Sequence, residues 1–252
     1  MDQIGDRLVW YYIPFTDVEI PMNGVNIITL FNALLVMIVL FALCKHAVSN
    51  IAAVPGRGQF IVEQFVGMFD NLVESSLELE TRAKNRKFLP LILFLFMYLI
   101  LANVMSFLPT GLFEEPTADI NTTLGLGLLG MTVAVYSGMR AKGAFTYIAE
   151  MMGPLFTQED ATGFAWVLGK LSALYFFPLN VVGEMAKVVS ISFRIFGNII
   201  GSGIIIIVIS TLIYSFSPLL VGMNLFFIFF IGIVHAFVFA MLTLTYIAVA
   251  IK

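Results

Sequence analysis

Charge is what this sequence has least of. Asp, Glu, Lys and Arg make up 12 % of its 252 residues, while 60 % are apolar and mean hydropathy is +0.99. A soluble domain carries about 25 % charged residues, so this composition excludes a surface kept in water. The basic residues are scattered among acids, so the formal net charge of −3 says nothing useful about nucleic acid, and no nucleic-acid partner is expected. The single cysteine, Cys44, sits in an apolar run and excludes a disulfide framework. The two histidines, His46 and His235, are far apart, and there is neither an H-E-x-x-H pair nor a G-x-S-x-G elbow. An intramembrane enzyme would need one such arrangement. No repeat relates the two halves, as secondary transporters commonly require. The N-terminus carries Asp2 and Asp6 rather than a basic stretch before a short apolar core, so no cleavable signal peptide is expected.

What is present is long apolar runs. A membrane span needs about 20 such residues. The first expected span is 27–43, the second 88–108, the third 122–136, and the last two lie within 171–214 and 219–251. Ten of the thirteen basic residues fall at 45–87, at 140–170 and at Lys252; the connections at 109–121 and 215–218 contain none. Positive-inside bias therefore predicts five crossings with the N-terminus outside and the C-terminus cytoplasmic. The expected fold is an all-α membrane protein forming a single domain over 1–252, with an external segment at 1–26. Between the first two spans, Phe60, Ile61, Phe65, Phe69, Leu72 and Val73 recur at helical spacing, with Glu63, Asp70, Glu74 and Glu78 elsewhere. Residues 58–80 read as an amphipathic helix on the cytoplasmic surface.

The hairpin at 171–251 is anomalous in length. Residues 179–214 alone number 36, about 54 Å of helix against a hydrocarbon core of roughly 30 Å. A steep tilt, or a kink near Gly197, Gly201 and Gly203, is expected.

Polar residues in this helix are ordered. Asn180, Glu184, Lys187, Arg194, Asn198 and Ser202 follow one another at steps of 4, 3, 7, 4 and 4, which at about 100° per residue confines them to a narrow sector. Such a seam can hold a bundle together by hydrogen bonds, and Glu184 and Lys187 can pair at i,i+3. Arg194 is different. Its guanidinium stays protonated and at a bilayer centre costs about 2.5–3.5 kcal/mol. Glu184 is about 15 Å away along the axis, so Arg194 requires water or a carboxylate from another polypeptide. A purely structural scaffold leaves it unexplained. The last segment carries Asn224, His235 and Tyr246 at intervals of eleven, within about 20° per step. His235 titrates near neutral pH; it serves either as a satisfied core residue or in ion handling opposite the arginine seam.

In these residues the chain resembles the a subunit of the rotary F-type ATP synthase. SISFRIFGNI at 190–199 matches a family pattern of a small residue, an apolar residue, then Arg-Leu-x-small-Asn. VPGRGQFIVE (54–63), FLPLILFLFMYLILANVMSFLP (88–109), PTADINTTLGLGL (116–128), PLNVVGEMAK (178–187) and HAFVFAMLTLTYI (235–247) support it in order. Departures are Ile195 for the usual leucine, Val188 for proline, Gly203 where many members have glutamate, Ile228 where some carry histidine or glutamate, and His235 where glutamine is usual. The resemblance implies a non-catalytic stator with two ion half-channels beside a ring of c subunits, each bearing one carboxylate. Arg194 would be the essential arginine and Asn198 its following asparagine. Glu184, Lys187, His235 and Asn180 would line ion access, with Ser202, Asn224 and Tyr246 as further candidates. The implied partners are the c ring, peripheral-stalk b subunits, protons or sodium ions and the bilayer, with no cofactor, no metal and no nucleotide site. The implied location is a bacterial plasma membrane, or alternatively an organellar inner membrane.

Overall fold

The computed structural model describes residues 9–10, 25–49, 51–52, 54–78, 82–105, 115–153, 164–213 and 217–252. It is built of helices: α1 (Ile27–Ser49), α2 (Arg57–Leu77), α3 (Arg82–Asn85), α4 (Leu89–Met105), α5 (Ile120–Lys142), α6 (Ala144–Met151), α7 (Phe164–Ile213), α8 (Ser217–Leu225) and α9 (Gly232–Ile251). A 3-10 turn, Pro116–Ala118, precedes α5, and a π-helical turn, Phe226–Ile231, joins α8 to α9. One addition to the helical expectation is a two-residue antiparallel ladder, β1 (Val9–Trp10) with β2 (Val25–Asn26).

Four helical runs are long and apolar enough to cross a membrane: 28–49, 120–142, 174–212 and 218–251. The second expected span appears as the shorter α4, of 17 residues; positions 106–108 of that expectation lie outside the described residues, as does most of 1–26. α5 starts where Asp119 accepts a hydrogen bond from the Asn121 amide at 2.9 Å. It closes on Arg140 and Lys142 in its last turn, where cations complement the helix dipole. Gly143, at φ +92°, then turns the chain in a conformation that L side chains rarely adopt.

The core is formed by α4 and α9 with α2 packed across them. Ile92, Leu95, Leu99, Phe239, Leu244 and Ile247 are buried there, and Phe65, Phe69 and Phe96 have ring centroids 4.9–5.9 Å apart. α5 presents the small residues Gly127, Gly130, Ala134 and Gly138 to its neighbours at three- and four-residue intervals. A Cβ on Gly130 would lie 3.0 Å from Thr243, and one on Gly138 would lie 2.8 Å from the Ala250 carbonyl. These contacts show that α5 and α9 run in the same direction at close approach, as small-xxx-small packing permits. Asn103 beside Gly232, and Phe96 beside Phe237, show that α4 runs opposite to α9. One end of the bundle consequently gathers Arg86, Arg140, Lys142 and Lys252.

α2 departs from its expected polar face at one residue. Asp70 is buried and receives Arg86 through Nε, at 3.1 Å to both carboxylate oxygens, and through Nη2 at 2.7 Å to Oδ2. The hydrogen bonds and charge of Asp70 hold the Arg86 guanidinium above its ordinary pKa. Part of the basic cluster at 82–87 therefore ties α2 to the start of α4. Just past the C-terminal end of α2, Glu78 pairs with Lys252 at 3.2 Å.

α7 is a continuous helix of 50 residues, about 75 Å long. It is helical throughout Gly197, Gly201 and Gly203, and a π turn that the sequence did not signal lies in the next run at Phe226–Ile231. α7 is also the least embedded span: 6 % of its apolar window is buried, against 28 % for α5 and for the run containing α9.

Candidate functional site

Of the described side chains along α7, the buried ones are Val188, Ile191, Ser192 and Ile195. With Asn198 taken as zero and about 100° per residue, these occupy a sector from roughly +20° to +120°. The six polar residues fall within about 40° on either side of zero. The outward residues Val189, Phe193, Gly197 and Ile200 lie from about 180° to 260°. The polar seam therefore runs along the rim of the packed face, with one flank against the bundle and the other open.

Its first half turns toward the bundle. Asn180, Glu184, Lys187 and Tyr246 line a cavity of ≈ 220 Å³ together with Tyr147 and Glu150. That space admits several waters at about 30 Å³ each. Lys187 Nζ bonds Glu184 Oε1 at 2.5 Å and lies 5.5 Å from the centre of the Tyr246 ring, within cation–π range. Asn180 donates to the Met151 carbonyl at 2.8 Å. Lys142 pairs with Glu150 at 2.7 Å. Burial, followed by the charges of Glu184 and Glu150, holds the Tyr147 phenol above its ordinary pKa, so it remains a neutral donor. The cavity lies at the bundle end that gathers the basic residues.

Arg194 does not join this cavity. It is exposed on the outer flank, seven residues or about 10.5 Å beyond Lys187, and among the described residues no carboxylate pairs with it. His235, on α9, is half-buried, and among the described residues its enclosed Nδ1 has no hydrogen-bond partner. Asn198 is half-buried, and Ser202 donates locally to the Ile199 carbonyl at 2.9 Å.

The seam expected along the last helix is divided. An uninterrupted α-helix would align Asn224 with His235, but the π turn lies between them. One residue inserted into a helix rotates everything beyond it by about 100°. Asn224 and His235 thus face different directions, while His235 and Tyr246 share the regular α9.

Several polar residues near the site were not singled out by spacing. Ser192, fully buried, has the Val188 and Thr123 carbonyls at 2.8 and 3.0 Å as alternative acceptors for its one hydroxyl hydrogen. Asn103 donates to the Gly232 carbonyl at 3.4 Å, where the π turn ends. Lys142, Tyr147 and Glu150 come from the stretch between spans. The glycines at 127, 130 and 138 of α5, spaced by one or two turns, were the available signal for its close packing. Among the described residues no group of three His, Cys, Asp or Glu side chains is placed to hold a metal ion.

Residues 27–248 match the family model described as ATP synthase A chain. A "sodium ion specific" ATP synthase subunit a from Propionigenium modestum is 31 % identical over 87 % of this chain and 72 % of its own length. ATP synthase subunit a of Moorella thermoacetica is 30 % identical, covering 87 % of this chain and 88 % of the relative. That of Campylobacter curvus is 31 % identical, covering 88 % and 89 %.

Proposed function

Since the chain belongs to the ATP synthase A-chain family and is the ion-translocating stator subunit of the membrane sector, not the subunit that carries ATP chemistry, we propose that Arg194 is the charge that exchanges with the ring carboxylate. The observation that carries this is the placement of Arg194 on the open flank of α7. A guanidinium in an apolar span with no carboxylate of its own chain beside it requires a counter-charge from outside. A c-ring carboxylate passing that flank would be ionised by Arg194, and the same fixed charge would bar an ion from crossing directly between half-channels.

The cavity at Asn180, Glu184, Lys187 and Tyr246 supports a half-channel opening at the cytoplasmic end. His235, with Asn198, belongs to access from the opposite side, where the negative connection at 109–121 lies in sequence. The division into two polar regions matters because an ion must board the ring on one side of Arg194 and leave on the other. Each elementary charge that does so through 100 mV releases about 2.3 kcal/mol, available as torque. Ser202 and Asn224 are flanking candidates without a contact that assigns them to either path.

The same reading has α4 as the fifth crossing, a steeply tilted α7, the N-terminus outside, the C-terminus cytoplasmic, and a bacterial plasma membrane as the location. Peripheral-stalk b subunits would hold the chain on faces other than the α7 flank.

Cysteine crosslinking on a Cys44-free background tests the docking. Single cysteines at Ser190, Phe193 and Gly197, all outward, are expected to crosslink to a cysteine beside the ring carboxylate. Ile191 and Ile195, at 4 % and 5 % exposure, are expected not to. Equal yields from both sets would refute the assignment of this flank to the ring.

A further inference from the structure

We propose that Gly127 and Ser192 form a size-matched clamp that sets the roll and height of α7 and thereby positions Arg194; this rests on Arg194 being the exchanging charge. Of the described side chains along α7, those fully buried in the bundle cluster at Val188–Ile195, while Asn180 on the Met151 carbonyl and Phe176 beside Gly153 add contacts nearer its start. Ser192 is the fully enclosed member of that patch. Its hydroxyl has one hydrogen to donate, and two carbonyls lie within reach: Val188 on its own helix at 2.8 Å and Thr123 on α5 at 3.0 Å. The bond to Thr123 joins the two helices at a fixed height.

Gly127 supplies the complementary surface one turn along α5. A Cβ there would stand 2.5 Å from Ser192 Oγ, while its next neighbours, Val188 Cγ1 and the Val188 carbonyl, are at 3.3 Å. The severe clash is with the hydroxyl, and the Val188 contacts, tight but not prohibitive, need give by only a few tenths of an ångström. Ser192 is two residues before Arg194, or about 200° around the helix, so the clamp and the arginine lie on different faces of one turn. A roll of about 100° in one sense would turn Arg194 into the packed sector. Smaller displacements matter as well, since a 1 Å misplacement can cost about 10²-fold in a reacting pair. Ser192 is a positioning residue and touches neither the ion nor the ring.

The test uses the assembled complex in membrane vesicles, with the mutant chain quantified in each preparation. Gly127→Ala is expected to reduce ATP-driven pumping per ATP hydrolysed by at least about tenfold. It is also expected to move the peak of the ring-crosslinking profile away from Ser190, Phe193 and Gly197. Adding Ser192→Ala removes the clashing oxygen, and the double variant is expected to return to within about threefold of the parent single Ser192→Ala, with the original profile. A substitution that only loosened the bundle would lower the amount of complex without shifting the angular profile. An unchanged profile in Gly127→Ala, or a double variant as impaired as Gly127→Ala, would overturn the clamp. If Gly127→Ala does not accumulate, Ser192→Ala decides, because it adds no volume: a broadened profile supports the clamp and an unchanged one overturns it. Absence of ring crosslinking in the parent would instead remove the reading on which the clamp rests.

Discussion

Replacing Arg194 with alanine deletes the charge that the proposed exchange depends on, and the local geometry sets how much is lost. At about 4 Å and an effective dielectric constant near 20, a guanidinium stabilises a carboxylate by about 4 kcal/mol. The nearest substitute, Lys187, is about 10.5 Å away along the helix and would contribute about 1.6 kcal/mol at that dielectric constant. Glu184, paired with Lys187 at 2.5 Å and about 15 Å from position 194, opposes it by about 1.1 kcal/mol. The residue of about 0.5 kcal/mol cannot replace Arg194. Loss of about 4 kcal/mol corresponds to about three pKa units, so a desolvated ring carboxylate would keep its proton while passing the stator. In inverted vesicles whose complex is shown to contain the mutant chain, ATP-driven pumping is expected to fall below about 1 % of the parent. The chain itself should still insert, because removing a charge worth about 2.5–3.5 kcal/mol eases insertion. Arg194→Lys is expected to lose function severely too, since an ammonium is compact, strongly hydrated and readily deprotonated on burial. Normal pumping by Arg194→Ala would refute the counter-charge reasoning.

Glu184→Gln and Lys187→Gln each break a half-exposed pair of a kind worth about 0–1 kcal/mol; pumping should fall no more than about fivefold, and the double variant should pump at least as well as the weaker single one. His235→Gln keeps a donor and an acceptor and is expected to retain pumping within about threefold of the parent in the same vesicle assay; a loss as complete as in Arg194→Ala would show that imidazole is indispensable there. Asp70→Asn removes the charge facing Arg86 inside the α2–α4 junction and is expected to lower the thermal midpoint of the detergent-solubilised complex. Pumping per ATP in the surviving complex should be unchanged, because the junction is outside the ion path.

Composition and periodicity determined the membrane character, the approximate position of each helical run and the isolation of Arg194. These follow from solvation: 12 % charged residues cannot clothe a soluble surface, and a guanidinium among Ile and Phe is conspicuous wherever the chain folds. The seam on α7 was also legible, because a regular helix turns by about 100° per residue and α7 is unbroken. The seam on the last segment was misread at Asn224, since an i+5 turn leaves no mark in an apolar sequence such as Phe226–Ile231. The Asp70–Arg86 pair was hidden because it joins α2 to the turn before α4, sixteen residues on, and an acid on an amphipathic helix reads as solvated. Only packing decided which edge of the seam faces inward. Spacing places Asn180, Glu184, Lys187 and Arg194 in one sector. The tertiary structure turns the first three toward a cavity and leaves the arginine open, because the contact that sets the roll of α7 joins Ser192 to Thr123, residues far apart in the chain.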